Sequence, residues 1–326
     1  MKQSATAPGA AGPRHKWQVS ALIGSVLSLA LVLSACTSST GVKAAPPATS
    51  ASEPGSGTGS PAPKGACATI PDLTPSQFPA SPSVTNRYLP DIPGTRYVLN
   101  GTVTTGGKAH PHQIISTITD LTKMVDGIQT IVIYEQDVQL GVVQESELLF
   151  AAQDSSGTVW HVGEYPEVYK KGKLAGAPDT WLSGVAGAEA GVDMTPTLHV
   201  GDIMMQGYSP TVKFWDCARV VSLHGHRCVP VGCYNNVVLT NEYSPTAPNG
   251  GHQLKFSARG FGTILALPLH DPQPEVVNLA KASCLSARAL AVIDKAALAQ
   301  DLRAYHVAKS VYAGSPPAAR TLSRSC

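Results

Sequence analysis

Residues 124–134 read MVDGIQTIVIY, and this stretch decides the fold class. Asp126-Gly127 is a pair favoured in two-residue hairpin turns, because the chain must adopt positive φ there. Ile128 to Tyr134 on one side and Met124-Val125 on the other are apolar or β-prone, so the spacing predicts antiparallel strands joined at that turn.

Outward from this hairpin the same pattern continues, with short apolar or alternating runs divided by Gly, Asp, Asn and Pro from Cys67 to about Asn278. Strands are predicted at Arg96–Thr104, Gln113–Thr119, Ile128–Tyr134, Leu148–Gln153 and Thr158–Gly163, with Ser155-Ser156-Gly157 as a second hairpin connection. Later ones fall at Ala218–Leu223, Arg227–Val231, Asn236–Tyr243, Gln253–Ala258, Thr263–Leu267 and Glu275–Leu279. After Ser286, a helix N-cap residue, no Gly or Pro occurs until Gly314, and Leu298, Leu302 and Tyr305 recur at helical spacing. The expectation is a mainly β fold: an antiparallel, curved meander sheet with one C-terminal α-helix at about residues 286–309. Asp294 and Asp301 interrupt the apolar stripe, which places that helix on the surface or across an open end of the sheet.

The N-terminus carries a different signal. Arg14, His15 and Lys16 precede an apolar run from Val19 to Leu33, and Leu33-Ser34-Ala35-Cys36 follows. A charged region before an apolar core marks an export signal, and the run is shorter than the roughly 20 apolar residues of a membrane-spanning helix. The ending resembles the lipobox of bacterial lipoproteins, which implies cleavage before Cys36 and attachment of diacylglycerol and palmitate to that residue. Thr37 to Lys64 is almost wholly Ser, Thr, Ala, Gly and Pro. Such a segment buries too little apolar surface to offset the entropy of ordering it, and as a coil it spans on the order of 30 Å. The expected organisation is therefore a signal peptide at 1–35, a lipidated cysteine and flexible linker at 36–66, one β-rich domain at 67–313, and a tail at 314–326.

Removing residues 1–35 leaves 21 basic against 22 acidic residues. No basic stripe for nucleic acid remains. With Cys36 taken as lipidated, six cysteines are left, an even number that favours disulfides outside the cytoplasm. If His224-Gly225-His226 forms a hairpin tip, Cys217 and Cys233 are equidistant from Gly225, and their pairing is the expected bridge. His224 and His226, near three cysteines, are candidate metal ligands, with His110 and His112 as a second pair. Their apparent loop positions and the missing C-x2-C spacing favour solvated turns instead.

No G-x-S-x-G, S-x-x-K, H-E-x-x-H or phosphate-loop pattern is present, so no catalytic residue and no cofactor is assigned. Glu145 and Glu147 can share one face of a strand, a spacing that ordinarily marks a solvated surface. Trp160, Trp181 and Trp215, with Tyr165 and Tyr169, read as core aromatics or as the lining of an apolar groove.

The segments Asn86-Arg87-Tyr88-Leu89-Pro90, Pro93-Gly94-Thr95-Arg96-Tyr97, Ala152-Gln153-Asp154, Gly157-Thr158-Val159-Trp160, Val229 to Val237, Gly260-Phe261-Gly262 and the stretch around Tyr305 to Pro317 together resemble a family of uncharacterised secreted or lipid-anchored bacterial β-rich proteins. The likeness covers most of residues 80–318 and carries no catalytic residue with it. The expected function is a non-enzymatic envelope lipoprotein on the extracytoplasmic face of the cell membrane, joined to the membrane through its lipid anchor and binding or carrying an apolar small molecule. A hydrolase with a loop-assembled site and a metal-binding lipoprotein using the His pairs are the alternatives.

Overall fold

The computed structural model describes Cys67 and residues 73–326. The signal peptide, Cys36 and nearly all of the linker lie outside the described residues. A single 3-10 turn, Pro75–Gln77, leads to a small hairpin of β1 (Val84–Asn86) and β2 (Leu89–Asp91). Next come β3 (Thr95–Thr105), β4 (Lys108–Val125), β5 (Ile128–Gln139), β6 (Val142–Gln153) and β7 (Val159–Lys170). Two short strands, β8 (Lys173–Gly176) and β9 (Trp181–Leu182), fold back on β7. The second half contributes β10 (Glu189–Met194), β11 (Ile203–Ser209), β12 (Phe214–Val229), β13 (Gly232–Tyr243), β14 (His252–Ala258), β15 (Gly262–Leu269) and β16 (Glu275–Cys284). Helices α1 (Ala287–Val307) and α2 (Lys309–Tyr312) and strand β17 (Ala319–Arg320) complete the chain.

Each of β3 to β7 pairs antiparallel with the next, as do β10 to β16, and two further pairings join the ends: β16 with β3, and β10 with β7. The curved meander is thus a closed twelve-strand barrel. Closure leaves no long free edge in the ring, which removes the template for edge-to-edge association. Asp126 and Gly127 take φ of 50° and 75°, the turn geometry that their sequence requires. On β3, opposite β16, a Cβ on Gly101 would stand 1.7 Å from the Val276 carbonyl oxygen, so only glycine fits. Strands β10 and β11 were not foreseen, because Gly191 and Gly207 break up their apolar pattern.

The barrel wall is packed on both faces along β4 to β7. Ser286 caps α1 by accepting a hydrogen bond from the Ala289 amide at 3.2 Å. Leu290, Asp294, Ala297, Asp301 and Ala304 form the buried stripe of α1, at alternating spacings of four and three. This corrects the sequence reading. The aspartates lie on the buried stripe, and Leu302 is exposed. Helix α1 sits against the outer wall of the barrel, because its partners Ser146, Tyr165 and Glu167 alternate along their strands with residues that face inward. It does not cover an open end.

The 314–326 segment is tied to the barrel along its length. Arg320 bonds Asp120 and Asp294 at 2.9 and 2.6 Å, β17 pairs with β4, and Cys326 is bridged to Cys284. The other disulfides are Cys67–Cys217 and Cys228–Cys233. The expected Cys217–Cys233 bridge is not formed. Strand β12 runs on to Val229, so the turn lies at Pro230-Val231 rather than Gly225, and Cys228 falls directly opposite Cys233.

Candidate functional site: an acid-lined barrel lumen

All twelve barrel strands contribute residues to one cavity of about 190 Å³, which therefore occupies the barrel interior. Part of its lining is apolar, including Leu99, Ile114, Ile133, Leu149 and Val277. The rest is dominated by carboxylates.

The N-terminal hairpin crosses one end of the barrel. Its Thr85 and Asn86 amides both donate to Gln153 Oε1 at 2.8 Å, and Asn86 Nδ2 donates to the carbonyls of Gly157 and Thr195 at 3.2 Å. At the far rim Tyr88 Oη donates to the Asn236 carbonyl at 3.2 Å, and the Gly260 amide donates to the Arg87 carbonyl at 2.8 Å. These anchor points lie on opposite arcs of the ring, so the hairpin spans the opening and delivers Leu89, Pro90 and Asp91 to the cavity.

On the β5–β6 wall the register sets Glu135 directly opposite Glu147, and Asp137 directly opposite Glu145. Residues two apart on a strand face the same side, and Glu135 and Leu149 line the cavity, so all four acids point inward. All are buried, Glu147 to 1% exposure. Glu164 of β7 joins them. Burial, then the Glu147 carboxylate, raise its pKa well above the usual range. His112 holds Asp137 and Glu275 within 3.3 and 3.5 Å of its two ring nitrogens, and His161 lies 3.6 Å from Glu164.

A second group occupies the β10–β14 wall. Glu242 is ion-paired with Lys255 and accepts from Gln206 Nε2 at 3.3 Å. Burial lowers the Lys255 pKa, an effect opposed by Glu242. Burial, then Glu242, push Asp216 well above the carboxylate range. Asp193 is pushed up to about 7, chiefly by burial. Asp91, brought in by the hairpin, is pushed up to about 8 by burial and then by Asp193 and Glu135, so it faces acids of both walls.

Like charges opposite each other on adjacent strands destabilise a sheet. Sharing protons relieves this, and so does a ligand with positive charge or several hydrogen-bond donors. The lumen is rich in acceptors: the Gln206 and Gln253 side-chain oxygens are buried and accept no hydrogen bond, and the Asp216 carboxylate is buried beside them.

Of the residues singled out from sequence, Cys36 lies outside the described residues. His224 and His226 are exposed on β12, in a strand rather than a loop. His110 and His112 are likewise on a strand, and His112 faces the lumen. Glu145 and Glu147 share a face as their spacing implies, yet that face is the buried one. Trp160 and Trp181 are core residues, each 1% exposed. Asp91, Asp193, Asp216 and Glu242 were missed. For the β5–β6 acids a signal existed, namely an acid-x-acid pattern repeated on two consecutive strands, Glu135-x-Asp137 and Glu145-x-Glu147.

The chain matches no protein-family model and no curated protein sequence. Two solved structures are similar to it in part. One is an inferred exported protein with a YmcC-like fold from Bacteroides fragilis, at 12% identity and a TM-score of 0.37, the match covering 61% of this chain and 99% of that one. The other is an inferred lipoprotein from Parabacteroides distasonis, at 9% identity and a TM-score of 0.34, with the same coverage of 61% and 99%.

Proposed function

We propose that this protein is a lipid-anchored, extracytoplasmic binding protein whose barrel holds a small amphipathic ligand, with a cationic or multiply donating group set against the lumen carboxylates and an apolar part against Leu99, Ile133 and Leu149. The observation that carries the reading is the block of four inward acids, Glu135 opposite Glu147 and Asp137 opposite Glu145, in a cavity closed at one end by the N-terminal hairpin. Together with Asp91, Asp193 and Asp216 these carboxylates concentrate hydrogen-bond acceptors in the lumen, the chemistry that suits a ligand with positive charge or several donors. Three disulfides among the described residues support an oxidising compartment, as does the export signal. The lipobox-like ending at Cys36 and the linker after it support an anchor of diacylglycerol and a further acyl chain that tethers the barrel near the membrane.

The sequence led to an apolar ligand, for which the space beneath the C-terminal helix would be the natural place. Polar pairs fill that interface, so the proposed site moves to the lumen and its chemistry becomes mixed.

Native mass spectrometry of the purified mature protein tests the reading, followed by thermal-shift measurements with polyamines, amino sugars, fatty acids and phospholipids. Amine-bearing compounds should raise the melting temperature near pH 8, since a ligand that binds only the folded state stabilises it. The gain should vanish in Glu135→Gln/Glu147→Gln. Stabilisation by fatty acids alone, undiminished in that variant, would overturn the cationic reading in favour of a purely apolar one.

A further inference from the structure

The β12–β13 hairpin carries a second constellation that the lumen does not use. From Gly225 to Val237 the two strands pair only with each other, beyond the reach of β11 and β14. One face of this arm is packed: the Arg227 guanidinium lies 4.4 Å from the centre of the Phe256 ring, and Val229 is buried. The opposite face presents His226, Cys228, Cys233 and Asn235 to solvent.

Register explains the grouping. His226 pairs with Asn235 and Cys228 with Cys233, so the four side chains form a two-by-two patch on one side of the ladder. The ligand atoms of His226, Cys228 and Cys233 lie within 4.8 Å of one another. His226 Nδ1 is 2.8 Å from Asn235 Oδ1, which can only accept, so Nδ1 carries the proton and donates it. The bare Nε2 then points toward Cys228 Sγ, 3.6 Å away. A histidine fixed in one tautomer by a second residue, with its free nitrogen beside sulfur, is how metal-binding imidazoles are held.

We propose that His226, Cys228 and Cys233 form a redox-gated site for a thiophilic cation, with zinc as the representative ion and Asn235 as the positioning residue. In the disulfide form the sulfurs are bonded to each other and no thiolate is available. A dithiol reductant opens the site: its thiolate attacks one cysteine sulfur, its second thiol resolves the mixed disulfide, and two protein thiols are released as the reductant closes its own disulfide. Binding of the cation then displaces both thiol protons, giving two sulfur ligands and one nitrogen ligand with a fourth position open. Reduction leaves the geometry in place, because the ladder pairs Arg227–Tyr234 and Val229–Gly232 hold the cysteines opposite each other. The bridge closes a loop with a sequence separation of only 5, so its loss costs little chain entropy compared with the Cys67–Cys217 bridge, whose separation is 150.

The test uses the mature protein carrying Cys284→Ser and Cys326→Ser, which removes the other exposed cysteine pair. It is titrated with Zn2+ against a chromophoric chelator before and after anaerobic treatment with a dithiol reductant, and then with Co2+, whose thiolate charge-transfer absorption reports sulfur ligation. One equivalent should bind after reduction and none before. His226→Gln and Asn235→Ala, both at exposed positions, should each weaken zinc by about 10-fold or more while the circular dichroism stays unchanged. Cys228→Ser should abolish the cobalt band. Equal binding before and after reduction, no binding to the reduced protein, or undiminished affinity in His226→Gln would each overturn the proposal.

Discussion

The two faces of the β4–β7 wall bury charge with different partners. On the outside, beneath α1, the buried charges have partners of opposite sign. Lys123 Nζ is 2.9 Å from Asp301 Oδ1 and 2.9 Å from the Pro316 carbonyl, with the Tyr312 ring 4.5 Å away. Arg303 grips Glu167 with two bonds of 2.9 and 2.7 Å, and Arg320 bridges Asp120 and Asp294. Gln300 completes the seam by exchanging hydrogen bonds with Ser146. Inside the barrel, carboxylates face each other across the β5–β6 ladder, with His112 beside Asp137 and His161 beside Glu164. Ion pairs of opposite charge fix where the helix docks, whereas the inward carboxylates gather hydrogen-bond acceptors in the lumen.

The comparison is tested most severely by deleting residues 286–326. This strands Lys123 and Glu167 and uncovers the outer core, so the truncated protein should lose its cooperative thermal transition in far-UV circular dichroism. A truncated domain that stays folded and binds a hydrophobic dye would instead make the helix a lid over an apolar site.

Next in size is Asp301→Ala, which leaves the Lys123 ammonium buried without its carboxylate. Breaking one side of a buried pair costs about 3–5 kcal/mol. The denaturant midpoint should fall accordingly at unchanged slope, and a loss below about 1 kcal/mol would mean the pair is not buried in solution.

The lumen should show itself in the pH dependence. Burial pushes the Asp91 carboxyl up to about 8 and that of Asp193 up to about 7, against the ordinary carboxylate value of 3.8. A raised acid binds more protons folded than unfolded. Its stabilising contribution is therefore full below about pH 4 and is lost as the pH rises through 7 and 8. Between pH 5 and pH 8.5 the ligand-free domain should lose about 2 kcal/mol or more, seen as a melting temperature lower by several degrees. Asp91→Asn should flatten that slope.

The smallest effect belongs to Glu135→Gln or Glu147→Gln. Removing one of two facing charges should change stability by less than about 1 kcal/mol, and in the stabilising direction at pH 8. A loss as large as that of Asp301→Ala would erase the distinction between the two faces.

Much of this was legible in the chain and some was not. The Asp126-Gly127 turn, the strands around it and the start of α1 at Ser286 follow from local chemistry, because turn dihedrals, alternation and capping act over a few residues. Asp294 and Asp301 were misread as breaks in the helix stripe. Their partners Lys123 and Arg320 lie far along the sequence, and a carboxylate is compatible with burial only once such a partner is in place. Glu145 and Glu147 were misread for a related reason, since alternation shows that two residues share a face but not whether that face meets water.

The sequence by itself determined the strand-rich antiparallel fold, the helix start and the even set of cysteines, along with the export and lipobox pattern read at its N-terminus. Only the tertiary structure decided that the sheet closes, that the N-terminal hairpin rather than the helix crosses the opening, which cysteines pair, and that facing acids line the lumen. Closure depends on β10 meeting β7 and β16 meeting β3 across long separations, and that pairing alone turns one face of an alternating strand into an interior.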